Sequence, residues 1–84
     1  MVYRLLIDIE AVALLDSLPR KTRMRLIDHF IALRSAPEQL SDYHEHDQIG
    51  RRVEISIVAG YSIHYWVDFP DRHIKVLAIA PADQ

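Results

Sequence analysis

The sequence has no cysteine among its 84 residues. That excludes disulfides and thiolate zinc sites, and it fits a reducing compartment. It also lacks a long apolar run. Arg4, Asp8, Glu10 and Asp16 break up the first stretch, and no signal-peptide pattern is present, so a soluble, cytoplasmic protein without a membrane role is expected. An excess of positive charge is missing too. Ten basic residues face twelve acidic ones, for a net charge of −2, whereas phosphate neutralisation supplies much of a nucleic-acid binder's affinity. No repeat or low-complexity segment occurs.

What is present suits one globular domain, residues 1–84. Hydrophobic residues make up 50% of the chain, enough for a core and too many for disorder. A chain this short buries only about 60% of its unfolded surface, so nearly all its apolar residues belong in one core or under a partner. Charge is segregated. Arg20, Lys21, Arg23 and Arg25 form one basic cluster and Arg51 with Arg52 another, with an acidic, histidine-bearing stretch, Glu38 to Asp47, between them.

Periodicity divides the chain. Residues 2–7 read as a short buried strand. Ala11, Leu14, Leu15 and Leu18 repeat at helical spacing, and Pro19 separates that helix from a second ending near Arg34. Met24, Ile27, Phe30 and Ile31 are read as the second helix's apolar face, flanked by Leu26 and Leu33. Residues 38–50 show no period and read as a loop. Strands are expected at 52–58, 61–68 and 73–80, parted by turn signals at Ala59-Gly60 and Pro70-Asp71. In the second of these, Tyr61, Ile63, Tyr65 and Val67 share one face and Ser62, His64, Trp66 and Asp68 the other. The order β-α-α-β-β-β predicts an α+β fold, with a two-helix hairpin on one face of a mostly antiparallel four-stranded sheet. The other face is left open for function or for a partner, including a second copy of the chain.

Three stretches together resemble the RelE/ParE superfamily of bacterial toxins: LLDSLPRKTRMRLIDHFIALRSAP, GRRVEISIVAGYSIHYWVD and HIKVLAIAPAD. The first is similar to the family's helical hairpin, the second to its central hairpin with a glycine-tyrosine pair, the third to its final strand. The resemblance implies the toxin of a type II toxin–antitoxin pair, held inactive by a cognate antitoxin. RelE-like members cleave messenger RNA in the ribosome and ParE-like members inhibit DNA gyrase. No cofactor and no metal are expected. The sequence departs from the RelE pattern at Ser62, where an arginine is typical, and at Pro81-Ala82-Asp83-Gln84, where a second arginine usually follows the last strand.

Cleavage by 2′-hydroxyl attack needs a base, a stabiliser of the charged phosphorane and an acid. His64, Tyr65 and Arg52 are the catalytic candidates, with Arg52 and His64 expected to share a sheet face. Arg51, Tyr61 and Trp66, with Arg20, Lys21 and Arg23, are candidates for contacts to RNA or a partner protein. The plainer readings stand beside these: His64 as a half-exposed strand residue, Trp66 as interface anchor or core, and the basic run as a solvated helix face. His44 and His46 have metal-ligand spacing but no third ligand fixed by the sequence, so a solvated loop is expected there. A binding module without catalysis, gyrase inhibitor or degenerate toxin, is the rival reading of the whole chain.

Overall fold

The computed structural model describes residues 2–83. Seven elements follow in order: β1 (Arg4–Ile7), α1 (Ile9–Ser17), α2 (Arg20–Leu33), β2 (Tyr43–His46), β3 (Arg52–Val58), β4 (Tyr61–Asp68) and β5 (His73–Pro81). The strands form one sheet in the order β1-β5-β4-β3-β2. Only β1 and β5 run parallel. The expected α+β layout is present, with five strands in place of four. The added strand, β2, is exposed throughout and lies in the segment expected to be a loop. Its residues, Tyr-His-Glu-His, offer no apolar alternation, as befits an edge strand that must not recruit another chain.

Local chemistry sets the helix boundaries. Asp8 caps α1, its carboxylate accepting the Glu10 N–H at 3.0 Å. Leu18 is extended, with ψ of 152°, because the residue before a proline is kept out of the helical region. The chain re-enters a helix at once, and the Arg23 guanidinium donates to the Leu18 carbonyl at 3.3 Å. At the far end of α2, Arg34 and Tyr3 are tied twice: the Tyr3 N–H donates to the Arg34 carbonyl at 2.8 Å, and Arg34 Nε donates to the Tyr3 carbonyl at 3.0 Å.

Ala11, Leu15 and Leu18 from the first helical segment, and Leu26, Phe30 and Leu33 from α2, close over Ile63, Tyr65, Val67, Ile74, Val76 and Ile79. Each such aliphatic side chain, fully buried, contributes roughly 1.5–3 kcal/mol. The inward face of α2 is therefore Leu26, Phe30 and Leu33, while Met24 and Ile31 are exposed at 45% and 58%. Both stripes have helical spacing in the sequence, and the way α2 docks on the sheet selects between them. In β5, Tyr65 pairs with Val76 and His64 with Ala78, so Leu77 bulges out. The extra residue re-aims the strand and lets both Val76 and Ile79 face the helices.

Candidate functional site

Residues paired across neighbouring strands point to the same side of a sheet. The register therefore sorts the side chains. Tyr65 pairs with Glu54 and Ile63 with Ser56, which places all four on the helix side. His64 pairs with Ile55 and Ala78, Ser62 with Ile57 and Ala80, and Trp66 with Lys75, all on the open side. The open face has His64 and Trp66 half-buried near its centre, with Tyr43 and Ile57 exposed toward the β2 edge.

His64 is held by its neighbour on the strand. Its Nε2 lies 3.1 Å from Ser62 Oγ, and that hydroxyl donates to the Ala80 carbonyl at 3.3 Å. With the hydroxyl proton turned to Ala80, Ser62 accepts from Nε2–H, the tautomer that leaves Nδ1 as the ring's proton acceptor. Trp66 stands two residues further on. The Arg51 guanidinium sits 5.0 Å and Lys75 Nζ 4.7 Å from its ring. Each cation also meets a carboxylate: Arg51 Nε is 2.8 Å from Asp47 and Lys75 Nζ 3.4 Å from Asp68. Burial of the Asp47 carboxyl would raise its pKa, but the Arg51 and Ile49 N–H groups and the Arg51 guanidinium outweigh that and hold it below the usual carboxylate range. Both cations lie over the ring, so a nucleobase stacks on Trp66 by displacing one of them, which is then free to neutralise a phosphate.

The other candidates lie elsewhere. Tyr65 is fully buried and its hydroxyl donates to the Pro37 carbonyl. Burial keeps its phenol neutral, pushing the pKa above the ordinary value, an effect that hydrogen bonding only partly offsets. Tyr65 faces the helices, on the opposite side of the sheet from His64. Arg52 does not share the face of His64 either. It lies with Glu54 on the helix side, Nε 2.6 Å from that buried carboxylate. Tyr61 packs, half-buried, against the core. Arg20, Lys21 and Arg23 begin α2, across the sheet from His64. His44 and His46 sit on the exposed β2 edge with their rings 5.8 Å apart. Among the described residues, the grouping with metal-ligand geometry is Asp68, Asp71 and His73, whose ligand atoms lie within 4.8 Å of one another. The sequence reading overlooked it, along with Lys75, whose place beside Trp66 depends on strand pairing.

No family model matches the sequence, and no curated protein does either. Solved structures do. The chain is similar to the archaeal RelE–RelB complex from Pyrococcus horikoshii, at 27% identity over 96% of both chains with a TM-score of 0.81. It is also similar to a RelBE toxin–antitoxin complex of Mycobacterium tuberculosis, at 14% identity over 96% of this chain and 99% of that one, with a TM-score of 0.79. A third likeness is to the intact Escherichia coli RelBE complex, at 19% identity over 98% and 99%, with a TM-score of 0.76. A two-helix hairpin on a mixed five-stranded sheet, with the far face open, is the RelE-like toxin fold, and this chain has it. The likenesses support a more particular statement: the chain is a toxin-like component of a type II toxin–antitoxin system.

Proposed function

We propose that the chain is a ribosome-dependent messenger-RNA endoribonuclease, restrained by a cognate antitoxin and working in the cytoplasm on its open sheet face. The observation that carries this reading is His64, held by Ser62 on the same face as Trp66 and its two flanking cations. A nucleotide stacked on Trp66 brings its backbone past His64. Nδ1 takes the proton of the 2′-hydroxyl, the 2′-oxygen bonds to phosphorus, and the bond to the 5′-oxygen breaks. That oxygen leaves with a proton from solvent, giving a 2′,3′-cyclic phosphate and a 5′-hydroxyl. Arg51 and Lys75 supply the positive charge for the phosphorane.

A second reading, binding without catalysis, is favoured by the carboxylates beside both cations and by Ser62 in place of an arginine. One experiment separates them. Purified protein is added to ribosomes carrying a defined message, and cleavage is mapped for wild type and His64→Ala. The endoribonuclease reading expects cleavage that falls by about 10²–10⁴-fold on losing the proton-transfer group. Undiminished cleavage by the variant removes His64 from the mechanism. Growth arrest without cleavage transfers the protein to the binding reading, which gyrase supercoiling assays then test.

A further inference from the structure

Three arginines distant in sequence meet at the far end of the molecule from the β3–β4 turn. Arg4 opens β1, Arg34 follows α2 and Arg72 lies in the turn before β5. They line a single open cleft of about 760 Å³ with Val2, Tyr3 and His73, and one carboxylate, Asp71. Among the described residues, none of the three arginines is within ion-pair distance of a carboxylate, whereas Arg51, Arg52 and Lys75 each are. An acidic chain has carboxylates to spare, yet around Tyr3 this cleft sets the Arg34 and Arg72 guanidinium groups against one aspartate.

The arginines are also held in place. The Arg4 N–H donates to the Arg72 carbonyl at 2.8 Å. Arg34 spends its Nε on the Tyr3 carbonyl at 3.0 Å, which fixes the plane of its guanidinium. The Arg72 guanidinium lies 5.8 Å from the centre of the Tyr3 ring, and that ring is braced edge-on by Phe69 at 6.3 Å. Arg72 has a φ of 57°, a backbone conformation a side chain rarely adopts.

We infer that Arg34 and Arg72, gathered around Tyr3 on the helix side of the β1 edge, form a phosphate-binding site separate from the face that carries His64; Arg4, paired with His73, turns to the open side. A planar guanidinium fork matches two oxygens of a phosphate. Two forks against one carboxylate leave an excess of one positive charge, which suits a phosphodiester or a phosphate monoanion. The phosphate can be free or part of an RNA backbone. The RNA source rests on the endoribonuclease reading; the phosphate chemistry does not.

The test titrates the protein with inorganic phosphate while following the arginine Nε–H resonances by NMR. A parallel titration uses a 2′-O-methyl RNA octamer, which cannot be cleaved, and reads fluorescence anisotropy over a salt series. Saturable shifts of Arg34 and Arg72 with phosphate are expected, and in the single variants Arg34→Ala and Arg72→Gly the shift of the remaining arginine is expected to weaken about tenfold or more in phosphate affinity. Glycine suits the backbone at 72, so the turn survives, and a thermal midpoint of Arg72→Gly alone no lower than that of the wild type checks this. In the octamer arm the double variant Arg34→Ala/Arg72→Gly is expected to lower the slope of log K against log salt by about 0.7–1.4, one or two phosphates of single-stranded nucleic acid. Saturation by phosphate with an unchanged octamer slope makes free phosphate the source. No saturable shift at Arg34 and Arg72, or a tighter response to a poly-glutamate peptide than to phosphate and octamer, overturns the proposal. Message cleavage by His64→Ala, read separately, reports on His64 and not on this cleft.

Discussion

Removing one oxygen atom tests where the core ends and the site begins. In Tyr65→Phe the ring stays in a fully buried slot and only the hydroxyl that donates to the Pro37 carbonyl is lost. The carbonyl is left without its partner beneath the 36–42 segment, and stranding a buried acceptor costs about 1–2 kcal/mol. For a domain of this length each kcal/mol moves the thermal midpoint by about 4–8 °C. A fall of about 6–12 °C is therefore expected, measured by circular dichroism at pH 7. The same variant carries a second signature. Burial raises the phenol's pKa above 10.0 in the folded protein, so the unfolded chain loses that proton first as pH rises. Stability is full below pH 10, declines as pH climbs from there toward the raised folded value, and declines less steeply in Tyr65→Phe. Message cleavage, where the wild type shows it, is expected to be unchanged per folded molecule. An unshifted midpoint together with lost cleavage would refute the assignment of Tyr65 to the core and return it to the chemistry.

Arg52→Ala leaves the Glu54 carboxylate buried without its partner. Because Arg52 itself is half-exposed, a cost of about 1–2 kcal/mol is expected in urea unfolding, below that of breaking a fully buried pair. His29 is a buffer-dependent liability: its Nε2 is buried with no partner among the described residues, and burial lowers its pKa although Asp42 pulls the other way. The unfolded chain takes up that proton first as pH falls below 6.5, so the urea midpoint drops from pH 7.5 to pH 5.5, and His29→Leu flattens that slope. Ala59 occupies a two-residue hairpin turn at a φ of 53°. Ala59→Gly relieves that backbone and is expected to raise stability by about 0.5–1 kcal/mol, read as a higher thermal midpoint.

The sequence by itself determined the elements whose signals are local. The Leu18-Pro19 junction, the α1 stripe and the alternation of β4 are set by sterics and apolar period, which act over a few residues. It also placed His64 and Trp66 on one face, since alternate residues of a strand share a side whatever the strand pairs with. Strand pairing and helix docking were decided only by the tertiary structure. Register turned Arg52, together with Glu54, to the side away from His64. It added the polar strand β2, which has no apolar period to announce it, and set Lys75 against Trp66 from nine residues along the chain. The docking of α2 on the sheet chose Leu26, Phe30 and Leu33 over Met24 and Ile31. The meeting of Arg34 and Arg72 around Tyr3 is of the same kind. Periodicity reports which face of an element is apolar, but the neighbour that face meets depends on the packing of the whole chain, and charge clusters assembled from distant residues leave no local trace.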